Sequence, residues 1–349
     1  MPTDILERGP ESIAKIRRLN FCIEALPQDG KQQLGFGDCQ VCTDLEIKEG
    51  RLCMSKVSVI IPTHNRAEFL RSAITSVLNQ TFQNFEIIII DDASKDHTRE
   101  VIAHFNDARI KVIHNQVSKG AAGARNVAIM NSNCEYTAFL DDDDEWLPEK
   151  LKIQTYLLDN SPLEVGGVCT ACFTIEKVSG RVLSIDNPEM SDLSKGNFIT
   201  TSSILLRREC FEKCGLFDES MPTSSDYDMW IRISKTFSFK FIKNALVKYY
   251  IHKNSLTFDY EKKTRGLEII FEKHDDFFKK NYEEYSKQYL DLGVLYCYKG
   301  EAKKGRKAFR KAIRMNPFEM RNYFNFILSL LGAERFKNLK EAKEKVFLQ

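Results

Sequence analysis

Four short runs of almost uninterrupted apolar, β-branched residues stand out along the chain: Val57 to Ile61, Phe85 to Ile90, Ile110 to His114 and Tyr136 to Leu140. Between them, apolar positions recur with helical spacing at Glu68 to Leu78, Thr98 to Phe105 and Ala121 to Asn131. Strands without polar alternation are buried on both faces, so this pattern predicts an α/β domain: a mostly parallel, Rossmann-like sheet with helices on both sides. Open sheets of this kind bind ligands beyond the carboxyl ends of their strands. The polar clusters fall there: Pro62-Thr63-His64-Asn65 after the first strand, Asp91-Asp92-Ala93-Ser94 after the second, and Asp141 to Asp144 after the fourth. Three clusters at three strand ends predict one crevice.

The pattern changes at both ends. Residues 1–53 do not share it, and Met54-Ser55-Lys56 reads as the beginning of a domain that extends to about residue 257, leaving 1–53 as an extension of no evident role. From about Tyr260 the pattern is helical only, which gives a region 258–349. Within it Tyr289, Leu292, Gly293, Tyr296, Phe309, Ala312 and Pro317 have the spacing of one tetratricopeptide unit, over about 286–319. Gly305 stands where that repeat favours Ala, and a free-standing solenoid needs about three units, so a single helical hairpin packed on its neighbours is expected.

A chain of 349 residues with 43% hydrophobic content can build a sizeable core, which excludes disordered and disulfide-scaffold classes. The net charge of +2 gives no global case for nucleic acid. From Ser286 onward, however, 15 Lys and Arg face 6 Asp and Glu, a local +9. Lys299, Lys303, Lys304, Arg306, Lys307, Arg310, Lys311 and Arg314 lead into the apolar run Tyr323 to Leu328. Either this is peripheral contact with an anionic membrane, or a solvated helix face whose apolar side packs on the α/β domain. No apolar run approaches the roughly 18 residues of a membrane span, and no secretory pattern opens the sequence, so a cytoplasmic protein with reduced thiols is expected. Cys169 and Cys172 lie in a run that reads as a buried strand, whereas Cys22, Cys39, Cys42 and Cys53 leave a zinc site open as an alternative to plain thiols.

Asp141-Asp142-Asp143-Asp144 carries the strongest chemical signal, because four adjacent carboxylates repel one another unless a cation sits among them. Oxygen-only donors suit Mg²⁺ or Mn²⁺. The plain alternative is a solvated acidic turn that leads into a helix near Pro148.

Taken together, Val57 to Arg66, Asp91 to Asp96, Gly120 to Asn126, Phe139 to Trp146, Gly215 to Glu219 and Ser225 to Arg232 resemble, in order and spacing, the motifs of family 2 glycosyltransferases across roughly Met54 to Thr257. The resemblance implies a GT-A fold, a nucleotide-sugar donor, a divalent cation and inverting transfer. It implies a nucleoside pocket at Pro62, Thr63, His64 and Asn65 with Asp91 or Asp92, and it sets Arg125, Asp142 and His252 near the donor phosphates. It matches Asp141 and Asp143 to an Asp-x-Asp metal pair and makes Asp226 the base that deprotonates the acceptor. Ser225-Asp226 replaces the Glu-Asp of many relatives, and the carboxylate required of a base is retained. The plain readings are a polar loop residue for His64, a surface Arg125, a helix-capping Asp226 and a His252 without contacts. The expected donor is a UDP-sugar and the expected acceptor a saccharide or lipid-linked saccharide of a surface glycan. Two other readings are a non-catalytic nucleotide-sugar binder or scaffold and a nucleotidyltransferase, though no Gly-rich segment follows Ile61 for the latter.

Overall fold

The computed structural model describes residues 55–176, 182–186, 193–251 and 259–347. Its centre is β1 (Val57–Thr63), every position of which is buried, as is every position of β2 (Phe85–Asp91). β1 pairs in parallel with β2 and with β4 (Tyr136–Phe139), and β2 with β3 (Ile110–His114). Thr63 lies opposite Asp91 and Ile60 opposite Phe139, so the strands deliver their following loops to one edge. The helices between them are α1 (Ala67–Leu78), α2 (Thr98–Ala103) and α3 (Gly120–Met130), within a few residues of the helical periodicity in the sequence.

Beyond β4 the sheet becomes mixed. β5 (Glu145–Trp146) and α4 (Lys150–Asp159) precede the long strand β6 (Val165–Glu176), followed by β7 (Val182–Asp186), β8 (Ile204–Arg207) and β9 (Ser238–Ile251). The order is β3-β2-β1-β4-β8-β6-β9-β5, with β7 paired to β6. β8 is antiparallel to both β4 and β6, while β9 runs parallel to β6. Cys169 and Cys172 are buried in β6, as a core strand requires.

Two short helices, α5 (Glu209–Cys214) and α6 (Ser225–Ser234), are followed from Tyr260 by helices only: α7 (Tyr260–Lys273), α8 (Asp275–Phe278), α9 (Tyr282–Tyr298), α10 (Ala302–Met315), α11 (Met320–Ser329) and α12 (Ala333–Phe347). Phe271, Phe278 and Tyr285 share one hydrophobic cluster with Tyr227 and Trp230 of α6 and Phe139 of β4. Rings of Phe278 and Tyr285 stack at 5.0 Å, and Phe278 meets Tyr227 edge-on at 6.3 Å. The core is therefore continuous from sheet to helices, and the chain from Ser55 onward forms one unit.

α9 and α10 pack so closely that two glycines are needed. A Cβ on Gly293 would enter the ring of Phe309, and one on Gly305 would lie 2.7 Å from Cys297 Sγ and 2.9 Å from the Gly293 carbonyl oxygen. The departure from Ala at 305 thus has a steric cause. Gly293→Leu should destabilise the protein by about 1–3 kcal/mol through overpacking, measured by chemical denaturation; unchanged stability would contradict the close approach of the two helices.

Candidate active site

The site is organised by the turn after β4. Leu140 N–H still bonds the Ile60 carbonyl (3.0 Å), and Asp144 N–H closes the turn on the Asp141 carbonyl (3.1 Å). Asp144 is fully buried: Oδ2 accepts from Ser202 Oγ (2.6 Å) and Oδ1 from Tyr250 N–H at the end of β9 (3.1 Å). Ser202 Oγ also accepts from Asp141 N–H (3.1 Å), and the Trp146 indole donates to the Ser202 carbonyl (2.8 Å). A solvated acidic turn is therefore not what the structure contains. Asp142 is 6% exposed, and Arg66 lies 3.6 Å from its carboxylate while bonding Asp143 directly. Arg125 Nη2 meets Asp141 Oδ1 at 2.5 Å. Burial, more than it is offset by Arg66, pushes the Asp142 carboxyl up to about 7, and burial with the charges of Asp143 and Asp141 holds Asp144 well above the usual carboxylate range.

No group of three or more His, Cys, Asp or Glu side chains converges as a metal cage among the described residues. The donor chemistry nevertheless fits a hard cation at Asp141 and Asp143, because Mg²⁺ or Mn²⁺ typically takes one or two carboxylates and completes its shell with water and substrate phosphates. The acidic turn has an excess of carboxylates over its two guanidinium partners.

The loop after β2 forms a second wall. Both Asp91 and Asp92 are buried, and their carboxylates are held by protein partners. Asp91 accepts from Ser94 N–H (2.9 Å) and Arg99 Nε (3.0 Å), with His114 Nδ1 at 2.9 Å. Burial opposes its ionisation, but these bonds outweigh it and bring the carboxyl down to about 2. Asp92 accepts from Asn115 Nδ2 (2.7 Å), Ser118 Oγ (2.7 Å), Lys119 N–H (2.9 Å) and Gly120 N–H (2.9 Å), which satisfies donors that the first turn of α3 would otherwise leave unpaired. Gly120 itself has φ +71°. Pro62 and Thr63 are buried at the end of β1, while His64 and Asn65 are exposed. Their loop is tied to the second: His64 Nδ1 lies 2.6 Å from the Asp92 carbonyl oxygen, and Asn65 Oδ1 accepts from Lys95 N–H (2.7 Å).

The third wall carries Asp226, in the first turn of α6. Asn197 Nδ2 donates to its Oδ2 (2.7 Å). Desolvation raises the carboxyl above its ordinary value, against the lowering effects of Asn197 and of Arg125, and the charge of Asp141 raises it further. Asp226 therefore shares an electrostatic environment with Arg125 and Asp141, residues of three different elements. Arg125 is 7% exposed with its guanidinium 5.7 Å from the Phe217 ring, and its Nε finds no hydrogen-bond partner among the described residues. Asn126 pins this wall by exchanging bonds with the Phe217 backbone (2.9 Å each way) and donating to Glu219 (2.8 Å).

Asn65, Ala93 and Ser224 are the residues other than glycine with left-handed backbone among the described residues, and each borders this crevice in sequence: after β1, after β2, and before α6. Such conformations cost about 1–3 kcal/mol and persist where surrounding structure over-determines them, commonly at functional sites.

The site brings together Pro62 to Asn65, Arg125, Asp141 to Asp143 and Asp226, with Asp91 and Asp92 buried in the loop bonded to His64 and Asn65. His252 and the N-terminal cysteines lie outside the described residues. Sequence reasoning missed Arg66, although it directly follows the first polar cluster, and it missed Ser202 and Asn197, which belong to connections without periodic pattern.

The glycosyl transferase family 2 model matches residues 58–215. A UDP-Glc:α-D-GlcNAc-diphosphoundecaprenol β-1,3-glucosyltransferase of Escherichia coli, WfgD, is 30% identical over 203 residues, which is 58% of this chain and 79% of that protein. Among solved structures, Staphylococcus aureus TarS in complex with UDP-GlcNAc aligns over 81% of this chain and 92% of its own (TM-score 0.53, 16% identity). The mannosyltransferase PcManGT from Pyrobaculum calidifontis, in complex with GDP-Man and Mn²⁺, aligns over 80% and 86% (TM-score 0.54, 15% identity). The fold is that of GT-A enzymes, and the chain is a glycosyltransferase. It belongs to glycosyltransferase family 2.

One ion cluster ties this site to the helical region. Asp228, fully buried in α6, bonds Arg232 Nε (2.9 Å), Lys273 Nζ (2.8 Å) and His274 Nε2 (2.9 Å), and Lys273 also reaches Asp218 (2.7 Å). Although desolvation opposes it, these partners hold the Asp228 carboxyl well below the usual range. Asp228→Ala should cost about 3–5 kcal/mol, because it removes the buried carboxylate that pairs with the part-buried Arg232 and Lys273 and with His274. Because the folded-state value is depressed, the deficit relative to wild type should be full at neutral pH and shrink as pH falls below the ordinary carboxylate range, which urea titrations at several pH values would measure.

Proposed function

We propose that this glycosyltransferase moves a sugar, with inversion, from a UDP-sugar to a hydroxyl of a saccharide or lipid-linked saccharide in surface glycan synthesis, at the inner face of the cytoplasmic membrane. The observation that carries this reading is the shared environment of Asp226, Arg125 and Asp141 at the carboxyl ends of the strands. The UDP-Glc donor and lipid diphosphate acceptor in the name of the E. coli relative, and the UDP-GlcNAc bound to TarS, support the choice of donor and acceptor class.

In this reading Pro62, Thr63, His64 and Asn65 border the nucleoside, and Asp91 and Asp92 fix the loops that form its pocket. Arg125 meets the diphosphate, for which its buried, unpartnered Nε provides a donor. Asp142 lies beside it, and His252 is assigned to the donor phosphates on resemblance alone. Asp141 and Asp143 hold Mn²⁺ or Mg²⁺, which when bound offsets the charge developing on the leaving diphosphate. Asp226 accepts the proton of the acceptor hydroxyl as that oxygen bonds the anomeric carbon, and the nucleoside diphosphate departs from the opposite face with the electron pair of the broken bond. Residues 54–257 form the catalytic region, and 258–349 a helical region with one tetratricopeptide-like hairpin.

Asp226→Asn should lower kcat by roughly 10²–10⁴ with donor affinity retained. Since the base acts ionised and its pKa is raised, wild-type kcat/KM should fall as pH drops through a value above the ordinary carboxylate range, and the variant should lack that limb. Equal turnover by the variant would remove Asp226 from the role. Calorimetric titration with UDP, GDP and dTDP, each with Mn²⁺ and with EDTA, should show metal-dependent binding of UDP that Asp143→Ala abolishes; binding of no nucleotide by folded protein would overturn the donor site.

A further inference from the structure

Helix α11 is built inside out. The residues it buries are polar: Asn322 Nδ2 donates to Ser286 Oγ (2.9 Å), Asn325 Nδ2 to the Arg321 carbonyl (2.7 Å), and Ser329 is fully buried with its carbonyl accepting from Arg306 (3.0 Å). Phe326 and Leu328 are part-buried against the cluster of Leu290, Cys297, Phe309 and Phe336, and a second set of its apolar residues lies on the opposite, exposed face. Met320, Phe324 and Ile327 recur at helical spacing and are 72%, 55% and 63% exposed, with Phe318 before the helix and Leu330 and Leu331 after it exposed as well. A helix that packs on a domain through its apolar stripe has the opposite arrangement, so the expectation that the apolar side of this segment covers the catalytic domain is not met. A contiguous exposed apolar surface of this kind marks an interaction site.

The neighbouring helix identifies the partner. On α10, Lys303, Lys307, Arg310 and Arg314 follow the same i, i+4, i+7, i+11 spacing and are all exposed. The Arg310 guanidinium lies 5.3 Å from the ring of Phe326 on α11, which joins the basic stripe to the apolar helix in one surface. An apolar stripe flanked by Lys and Arg matches the boundary between anionic headgroups and acyl chains. A second copy docking through the same face would bring two such basic stripes together, and like charges would oppose it.

We propose that α10 and α11 form a docking face for an anionic lipid bilayer, with Phe324 and Ile327 entering the interface and Lys307 and Arg310 meeting lipid phosphates. This gives the enzyme a route to a lipid-borne acceptor but does not depend on the transfer reading, since it concerns the membrane surface itself. The test is sedimentation of the full chain with vesicles of phosphatidylcholine alone or with about 30% phosphatidylglycerol. Wild type should bind the anionic vesicles at least about tenfold more tightly, and added salt should weaken that binding. Phe324→Glu with Ile327→Glu, and separately Lys307→Glu with Arg310→Glu, should each lower affinity by about tenfold or more. Phe324→Ser with Ile327→Ser serves as a second apolar pair should the first not fold, with thermal melts as the control. Equal binding to both vesicles, or binding unaffected by the apolar pairs, would overturn the proposal. So would a dimer in light scattering that the apolar pair dissolves while wild type ignores vesicles, which would give the face to a second copy. UDP binding is measured in parallel: its loss in wild type with vesicle binding intact would overturn the donor site and leave the docking face standing.

Discussion

Placing four consecutive carboxylates at the buried end of a central strand is the constraint to which the surrounding structure answers. Asp144 has no access to water and Asp142 very little, and charges that close in a poorly solvated site would force protons onto some of them. Each adjoining element contributes a group that offsets this. β1 leads into Arg66, α3 presents Arg125, the short turn before β8 supplies the Ser202 hydroxyl, and β9 ends with the Tyr250 amide aimed at Asp144. The arrangement is preorganised in the sense that catalysis by electrostatics requires: donors and acceptors are fixed by the fold before any ligand arrives.

The first half of the fold was legible because its strands are buried on both faces and so lack polar interruptions, which makes β1 to β4 and the intervening helices readable from periodicity alone. β8 and β9 were not, since β9 is only partly buried and pairs with strands distant in sequence, so its pattern has no single period. At the site, residue identities were readable but their orientation was not. Asp91 and Asp92 stand at the strand end as expected, yet each carboxylate is consumed by local donors, a choice between ligand and neighbours that only three-dimensional structure decides. The apolar run Tyr323 to Leu328 was likewise evident, but which of its residues face the protein and which face away was not.

Two kinds of order maintain the crevice. Left-handed backbone at Asn65, Ala93 and Ser224 marks the three loops, and hydrogen bonds between the first two hold Asn65 and the Ala93 turn in place. At the wall that carries Asp226, α7 presses directly on the segment before that residue: a Cβ on Gly266 would lie 2.7 Å from Thr223 Cγ2 and 3.0 Å from the Thr223 carbonyl oxygen. The helical region is thereby part of the scaffold that orients α6.

One way to alter such an enzyme would be to exchange its C-terminal helical region for that of a relative. The Asp228 cluster limits such exchange here. Its carboxylate is on α6 while Lys273 and His274 come from the end of α7, so the ionic seam runs across the place where a cut between the two regions would be made. A hybrid enzyme that took its tail from a relative would need to import or rebuild both partners, or replace the carboxylate itself. The same interlock makes α6 and the end of α7 one unit for any exchange, and both lie beyond the matched family segment, which stops at Gly215.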